Sequence, residues 1–432
     1  MFDIPNRWRW VTVDDITAPE KYSCVGGPFG SNLTSKDYVD APGVPVIRGQ
    51  NMGDATRRFV DDEFVYVSAE KARRLRQNMA FPGDLVFTQR GTLGQVAWIP
   101  ARTRFREYVV SQSQMKLTVD PAKADAGFVY AFFRSKAALE YIQRNTMATG
   151  VPHTNLGILR AFPIPLPPLP EQRRIATVLG AIDEKVELNR TMNQTLDEMA
   201  RAIFEATFVD FGGCNDLVES EIGPIPAGWG TRSLFESATY INGAAYRDFD
   251  FTSDGTGTPV IKIAELKAGV TSTTKFTLKQ MDPRYRIDDR EMLFSWSGNP
   301  DTSIDTFIWS GGTAWLNQHI FKVLPHRADE WYFVFYLLRH LRPVFAETAR
   351  DKQTTGLGHV TGGDLKRMRV VRPPAKALAA FNKVVSPIFN RWYSNTRSTR
   401  TLADLLDTIL PRLTSGELSL PDAEAAIDEA GG

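Results

Sequence analysis

Residues 166–208 read LPPLPEQRRIATVLGAIDEKVELNRTMNQTLDEMARAIFEATF, and their apolar positions recur at alternating steps of four and three. The series comprises Ile175, Leu179, Ile182, Val186, Leu196, Ala200 and Ile203. A period of 3.5 residues predicts a helix that packs along its length against a second long helix. Two polar residues, Asn189 and Asn193, lie on the same stripe, where a buried Asn fixes the register of a helix pair.

The second helix is predicted within the same chain, because the pattern returns 206 residues later. Adding 206 to the number of each residue in the apolar series gives Phe381, Val385, Ile388, Trp392, Leu402, Leu406 and Ile409. It also carries Asn189 to Asn395 and Asn193 to Thr399, and we predict that these four residues set the register of the pair. Upstream, it relates Gly150 to Gly356 and His153 to His359. A gap-free offset over roughly 60 residues indicates an internal repeat.

Each long helix follows a β-rich module. In the first module, short strands are predicted at 44–47, 85–88, 95–99 and 115–119, before a helix at 127–144. The corresponding pieces of the second module are 258–266, 290–309, 313–324 and a helix near 330–346. The offset between the openings of the two modules is 221 rather than 206, so they share a frame but differ inside.

The predicted fold is therefore α+β. Two β-rich modules are related by a pseudo-two-fold axis and are separated by an antiparallel coiled coil of the two long helices. The predicted domains are module one at 1–168, a long helix at 169–211, module two at 212–374, a second long helix at 375–412 and a tail at 413–432. The alternative is that each long helix packs on its own module.

Composition limits the class of protein. A chain of 432 residues exceeds one hydrophobic core, and its longest apolar run, 331–338, is far too short to span a membrane. The two cysteines, Cys24 and Cys214, have neither pairing nor metal spacing, which favours a reduced cytoplasm. The formal net charge is +1, but residues 1–168 hold 21 Lys and Arg against 16 Asp and Glu, an excess that suits a phosphate-facing surface.

Catalytic motifs are absent from the sequence. There is no GxxxxGK[ST] loop for nucleotide phosphates and no Gly-rich turn suited to a methyl-donor cofactor. The run NPD at 299–301 lacks the second proline and the aromatic residue that amino-methyltransferases carry. The five histidines have no HExxH or CxxC companion, so we predict neither a catalytic residue nor a metal site.

With its paired modules and long helices, the chain resembles the specificity (S) subunits of type I restriction-modification systems over about residues 5–418. The resemblance rests on PLPPLPEQRRI before the first long helix, GDLVFTQRGTLG at 83–94, TGVPHTNLG at 149–157, TGLGHVTGGDL at 355–365 and PRLTSGEL at 411–418. The second copy departs from the pattern, because RPPAKALAAF lacks an equivalent of Glu171 and Gln172.

The resemblance implies a non-catalytic DNA reader. Each module would be a target recognition domain that reads one half of a bipartite, asymmetric site in double-stranded DNA. The helix pair would set the spacing and dock two methyltransferase (M) subunits, and restriction (R) subunits would join for cleavage. No cofactor is expected on this chain, and S-adenosylmethionine is expected on the methyltransferase subunits.

Base edges are read by Arg, Lys, Gln, Asn, Ser and Thr side chains on loops held by a rigid sheet. The predicted DNA-binding residues of the first module are Arg48, Gln50, Asn51, Gln89, Arg90, Thr92, Gln112 and Gln114, with Arg57 and Arg58 as phosphate anchors. Those of the second module are Lys262, Ser297, Asn299, Asn317 and Gln318, with Arg350 and Lys352 as phosphate anchors. The alternative for such residues is that they only satisfy the backbone of turns.

Two other functions remain open on the sequence. One is a stand-alone, two-lobed enzyme that acts on DNA, which would turn over substrate without partner subunits. The other is a coiled-coil scaffold that does not bind DNA. Retention on random duplex DNA that weakens steeply with salt would argue against the scaffold.

Overall fold

The structure is a computed structural model that describes residues 3–40, 43–53, 57–146, 153–352, 357–423 and 425. Gly150 and Gly356 of the predicted repeat, and most of the predicted tail beyond residue 423, lie outside the described residues. The described chain mixes strands and helices and contains two very long helices, which confirms the predicted α+β class. Within these ranges, no helix is long and apolar enough to cross a membrane.

Eleven strands precede the first long helix. They are β1 (Arg9–Thr12), β2 (Cys24–Gly26), β3 (Tyr38–Val39), β4 (Val44–Ile47), β5 (Val65–Val67), β6 (Met79–Ala80), β7 (Leu85–Thr88), β8 (Val96–Trp98), β9 (Tyr108–Val110), β10 (Gln114–Leu117) and β11 (Pro163–Leu166), as far as the structure describes the chain. The strands after this helix are β12 (Leu217–Val218), β13 (Ile225–Pro226), β14 (Gly230–Ser233), β15 (Ala238–Asn242), β16 (Thr258–Ile261), β17 (Phe276–Thr277), β18 (Arg286–Ile287), β19 (Met292–Ser295), β20 (Ser297–Gly298), β21 (Asp305–Ile308), β22 (Ala314–Leu316), β23 (Ile320–Pro325), β24 (Gly358–His359) and β25 (Arg369–Arg372).

The α-helices are α1 (Val13–Ile16), α2 (Ala69–Arg74), α3 (Ala126–Arg134), α4 (Lys136–Asn145), α5 (Leu156–Arg160), α6 (Leu169–Phe208), α7 (Ile263–Ala268), α8 (Trp331–His340), α9 (Arg342–Asp351), α10 (Gly362–Arg367) and α11 (Ala375–Ser415). The long helices α6 and α11 have 40 and 41 residues. At 1.5 Å per residue, each is roughly 60 Å long.

The chain forms two compact units, and both long helices are divided between them. Unit 1 comprises Met1–Thr191 and Ser398–Gly432, so it holds the first part of α6 and the last part of α11. Unit 2 comprises Met192–Arg397 and holds the remainder of both helices.

In unit 1, the predicted stripe of α6 is part of the core. Ile175, Leu179, Ile182 and Val186 are at most 3% exposed and share one cluster with Leu402, Leu406 and Ile409 of α11. Aromatic residues of α3 belong to the same cluster. The helices therefore pack against each other and against the module, so the prediction and its alternative both hold in part. Asn189 is fully buried, and its Nδ2 donates to Ser398 Oγ over 3.3 Å.

In unit 2, contacts along the two helices run in opposite directions. Asn395 Nδ2 donates to Asn193 Oδ1 over 3.0 Å, whereas the rings of Phe208 and Phe381 lie 4.9 Å apart. The later residue of α6 thus meets the earlier residue of α11, as an antiparallel pair requires. Asn193 Nδ2 also donates to Thr396 Oγ1 over 3.0 Å. The predicted Asn residues are therefore polar contacts within the helix pair, whereas Thr399 is half-buried on α11.

The two modules share the topology of two of their sheets. In the first, β1 pairs with β11, and a four-stranded sheet has the order β2-β10-β7-β8. In the second, β14 pairs with β25, and the equivalent sheet has the order β15-β23-β19-β21. The pair Arg9↔Leu166 becomes Gly230↔Arg372, which reproduces both sequence offsets, 221 and 206. The duplication is therefore visible in strand register, and the pseudo-two-fold axis stays a prediction.

The predicted helices at 127–144 and near 330–346 are each interrupted, which corrects the sequence analysis. Ser135 is extended, with φ −69° and ψ 151°, and its side chain caps α4 by accepting from Ala138 N. A serine that caps the second helix ends the first. In the other module, α9 starts at Arg342 with Pro343 in its first turn, where the missing N–H costs no helical hydrogen bond.

Candidate nucleic-acid interface

The predicted DNA-reading loops of the first module leave one edge of its sheets. Strands β4 and β9 are parallel neighbours with Ile47 opposite Val110, so the loops that follow them emerge side by side. Thr88, the end of β7, lies opposite Gln114, the start of β10. Gln89 N therefore donates to Ser113 O over 2.7 Å. We call this side, where loops 27–33, 48–51, 89–92 and 111–114 meet, the loop edge of the first module.

The second module builds the same edge from different residues. Strands β16 and β22 are parallel with Ile261 opposite Leu316, and Ser295 lies opposite Ile320. The loops that begin at 243, 262, 296 and 317 meet there and form its loop edge. Lys262, Ser297, Asn299, Asn317 and Gln318 of the prediction all lie in this group of loops. The two modules therefore share a backbone frame at their loop edges and present different side chains there.

Nine of the predicted DNA-binding side chains are accessible at the loop edges. Gln50, Arg90, Thr92 and Asn299 are exposed, and Arg48, Gln89, Gln112, Lys262 and Gln318 are half-buried. Arg90 forms an isolated bridge with His153, which brings the segment after residue 153 to this edge. The side-chain types are amide, hydroxyl and cationic, which suits hydrogen bonding to bases and phosphates.

Four other predicted residues are buried and hold the loops. Asn51 Nδ2 donates to Asp62 O over 2.8 Å, and its Oδ1 accepts from Arg48 N over 3.0 Å. Gln114 is fully buried, with its Oε1 accepting from Ser111 Oγ. Ser297 and Asn317 are also buried. The four residues are buried, although Gln114 Nε2 has no hydrogen-bond partner among the described residues, so they fit the alternative that such residues satisfy the loops.

The predicted phosphate anchors are largely engaged within the protein. Arg58 Nη2 donates to Gly180 O over 2.6 Å, and its Nε lies 3.5 Å from Asp183 Oδ2. In the second module, Arg350 forms an ion pair with Asp301, and Lys352 forms one with Asp364. Arg57 is half-buried. For Arg58, only 15% of the side chain is exposed, so it ties the module to α6 and does not present its charge to solvent.

Asp364 forms an ion pair with Lys352, the residue that follows α9. Burial disfavours its charged form, but hydrogen bonds from Lys352 and from Thr361 outweigh burial and lower the pKa of Asp364 to about 2. Asp364 also closes the capping box at the start of α10, where Thr361 is the N-cap. The equivalent cap of α5 in the first module is Asn155, 206 residues earlier.

Sequence reasoning missed an aromatic–histidine cluster at the loop edge of the second module. The Trp296 ring lies 5.6 Å from the His319 ring and 5.8 Å from the His359 ring. Ser297 Oγ lies 2.9 Å from His359 Nδ1. Burial lowers the pKa of His319, and the neighbouring His359 lowers it further. The repeat could have revealed this cluster, because strand pairing places Trp296 at the position that Gln89 occupies in the first module.

Within the described ranges, no group of three or more His, Cys, Asp or Glu residues could hold a metal ion. Both cysteines are free thiols, Cys24 in the core and Cys214 half-buried.

Comparison with known proteins gives a consistent result. A family model described as the type I restriction modification DNA specificity domain matches residues 30–198. The MjaIX specificity subunit of Methanocaldococcus jannaschii is 23% identical over 437 residues, covering 97% of this chain and 95% of the relative. The HindI specificity subunit of Haemophilus influenzae is 20% identical over 461 residues, covering 91% of this chain and 98% of the relative.

A solved structure has the same fold. The type I restriction-modification S subunit from M. genitalium superimposes with a TM-score of 0.56 at 14% identity, covering 95% of this chain and 98% of that one.

Proposed function

We propose that the chain is a specificity subunit of a type I restriction-modification system, as its matching family model and its similarity over nearly the full length of two specificity subunits support, and that each of its modules reads one half of a bipartite DNA site. The observation that carries this proposal is the pair of loop edges. Each is built on the same parallel strand pair, yet they present different hydrogen-bonding side chains. Two modules that present different side chains would recognise different sequences, so the two halves of the DNA site would differ.

The chain is the recognition component and not the enzyme of such a system. We propose that two methyltransferase subunits dock on the pair formed by α6 and α11 and carry S-adenosylmethionine, and that restriction subunits join them, all in the cytoplasm. The helix pair would set the spacing of the half-sites. Half-sites about one turn apart, roughly 34–36 Å, face the same side of the duplex.

Methylation mapping tests the proposal. The chain would be co-expressed with the methyltransferase encoded beside it, in a host that lacks other DNA methylation, and modified bases would be located by sequencing. We expect a split sequence with a fixed gap. Methylation without a split motif, or methylation that does not depend on this chain, would refute the proposal.

Arg90 provides a residue-level test. A bidentate contact from Arg to a base contributes about 1–3 kcal/mol of discrimination, so Arg90→Ala is expected to relax the preference at one base of one half-site only. Arg102→Ala is the matched control, because this exposed arginine lies in the loop that enters β9 from the opposite side of the sheet. Equal motifs for wild type and both variants would remove Arg90 from the set of base contacts.

A further inference from the structure

The most exposed aromatic side chains of the described chain are Phe29, at 87%, and Phe249, at 76%. They belong to different modules, and each lies on the loop that follows the first strand of the four-stranded sheet, β2 or β15. Burying a phenyl ring is worth about 1.5–3 kcal/mol, so two rings held in water on matching loops indicate a surface completed by a partner.

Both loops emerge at the loop edges. Gly26, the end of β2, lies opposite Met115 near the start of β10, and Gly27 N donates to Gln114 O over 2.8 Å. In the second module, Gly243 N donates to Ile320 O over 3.0 Å. A Cβ at Gly27 would lie 1.9 Å from Ser111 O, and one at Gly243 would lie 2.2 Å from Asn317 O. Ser111 and Asn317 are 206 residues apart, so the two loops start from equivalent points.

The loop that carries Phe29 is braced. Asn32 N donates to Phe29 O over 3.1 Å, and Gln112 Nε2 donates to Gly30 O over 2.6 Å and to Leu33 O over 2.5 Å. Gln112, which the sequence predicts as a base contact, thus fixes the backbone on either side of the turn. A fixed loop loses little conformational entropy when its ring is bound.

An ion pair and a hydrogen bond, both to Asp250, hold the loop that carries Phe249. Arg247 N donates to Asp250 Oδ2 over 2.8 Å, and Lys279 Nζ lies 2.8 Å from Asp250 Oδ1. The Arg247 guanidinium lies 5.7 Å from the Phe249 ring, and Lys262 Nζ lies 4.9 Å from the ring of Phe251 in the same loop. In the first module, Arg48 and Gln112 line one cleft beside Leu33.

Resting on the proposed function, we propose that Phe29 and Phe249 are wedges that insert into the base stack, one in each half-site. In the second module, the apolar ring of Phe249 beside the Arg247 guanidinium matches a base step beside a phosphate, and apolar side chains of DNA-binding proteins unstack and kink such steps. The wedges would add to specificity without hydrogen bonds, because the energy needed to open a step depends on its sequence.

The test uses the full chain and duplexes that carry the split sequence found by methylation mapping, with 2-aminopurine at successive positions. Its fluorescence rises where a base is unstacked. We expect one such step in each half-site with wild type. Phe29→Ala should abolish the signal in one half-site and Phe249→Ala in the other, each with about tenfold weaker binding. Phe29→Leu, which keeps apolar bulk, should retain part of the signal.

Phe81→Ala and Leu324→Ala are the matched controls. Both residues are substantially exposed, at 45% and 39%, and lie at the opposite side of the sheets, before β7 and near the end of β23. They should leave binding and fluorescence unchanged. Thermal melting of each variant identifies any loss of folding.

Binding within twofold of wild type with an unchanged signal in both alanine variants would overturn the wedges while the split-site function stands. Loss of methyltransferase co-purification with unchanged DNA binding would also overturn them, since the rings would then dock a protein. If wild type prefers no split sequence, the proposed function itself fails.

Discussion

Asp183 of α6 forms ion pairs with two arginines of the first module. We predict that Asp183→Asn destabilises unit 1 by about 3–5 kcal/mol. Arg134 Nη1 lies 3.0 Å from Asp183 Oδ1 and 2.9 Å from Oδ2, and Arg58 Nε lies 3.5 Å from Oδ2. The three side chains are between 11% and 17% exposed. Asn keeps the shape of the site but leaves Arg134 facing an uncharged amide, whereas Arg58 keeps its hydrogen bond to Gly180 O; a buried charge that loses its partner has this cost.

Hydrogen exchange followed by mass spectrometry measures the effect locally. Peptides from α3 and from the first half of α6 should exchange at least a hundredfold faster in Asp183→Asn, because each 1.4 kcal/mol is a factor of ten. Glu184→Gln is the matched control. Its carboxylate is 77% exposed and 3.8 Å from Arg58, so its loss should cost less than about 0.5 kcal/mol. Equal exchange in the two variants would refute the argument that a buried charge cluster holds the module to α6.

Three further predictions use the same measurement. Asn395→Leu leaves Asn193 Oδ1 without its donor, so exchange in the centre of α6 should rise by the equivalent of about 1–3 kcal/mol, and the absence of any rise would contradict the hydrogen bond. Gln172→Leu removes a side chain that accepts from one backbone group and donates to another, 2.8 Å away in each case, so the start of α6 should open more easily by about 1–3 kcal/mol; unchanged exchange there would show that water replaces both bonds. Asp364→Asn should cost about 2 kcal/mol at pH 6. Because the folded pKa of Asp364 is below its unfolded value of 3.8, this difference should shrink as the pH falls from about 4 to about 2; a difference that does not change with pH would refute the assignment to the ionised carboxylate of Asp364.

The sequence predicts the buried stripe of α6 well in unit 1, where α11 and the shorter helix α3 both belong to its cluster. Val186 and Leu179 occupy their expected stripe positions. Beyond Ala200, however, the buried residues are Phe204 and Phe208, and Ile203 is only half-buried. The reason is a third helix, since both rings contact Phe333 of α8. In unit 2, packing of these two rings against Phe333 shifts the buried face of α6 away from the predicted stripe.

The same third helix explains the shift on α11. Phe389 is fully buried, while the predicted Ile388 and Trp392 are half-buried. Trp331 and Tyr332 of α8 lie against the Phe389 ring at 5.0 and 5.4 Å. The apolar periodicity of a helix does not reveal which other helices pack against it in the fold.

The candidate interface was predictable in position but not in detail. Strand ends before polar loops indicated where Arg48 and Gln89 would lie. Burial of Asn51 and the pairing of Arg58 with Asp183 depend on residues 11 and 125 positions away, which no local pattern reveals. Exposed Phe29 was missed for the opposite reason, because an isolated aromatic residue in a Gly/Pro turn resembles any other loop residue.

In the sequence, unit 1 consists of residues that precede unit 2 and residues that follow it, so unit 1 cannot be completed during translation before unit 2 has been synthesised. A Cβ at Gly416 would lie 2.5 Å from Pro5 Cγ, so residues after α11 close against the start of the described chain. A ribosome adding about 5–20 residues per second needs roughly 10–40 s to make the 206 residues of unit 2. Throughout that interval the apolar stripe on the first part of α6 can pack against α3 but not against α11, so the core of unit 1 stays open until residues beyond 398 have emerged.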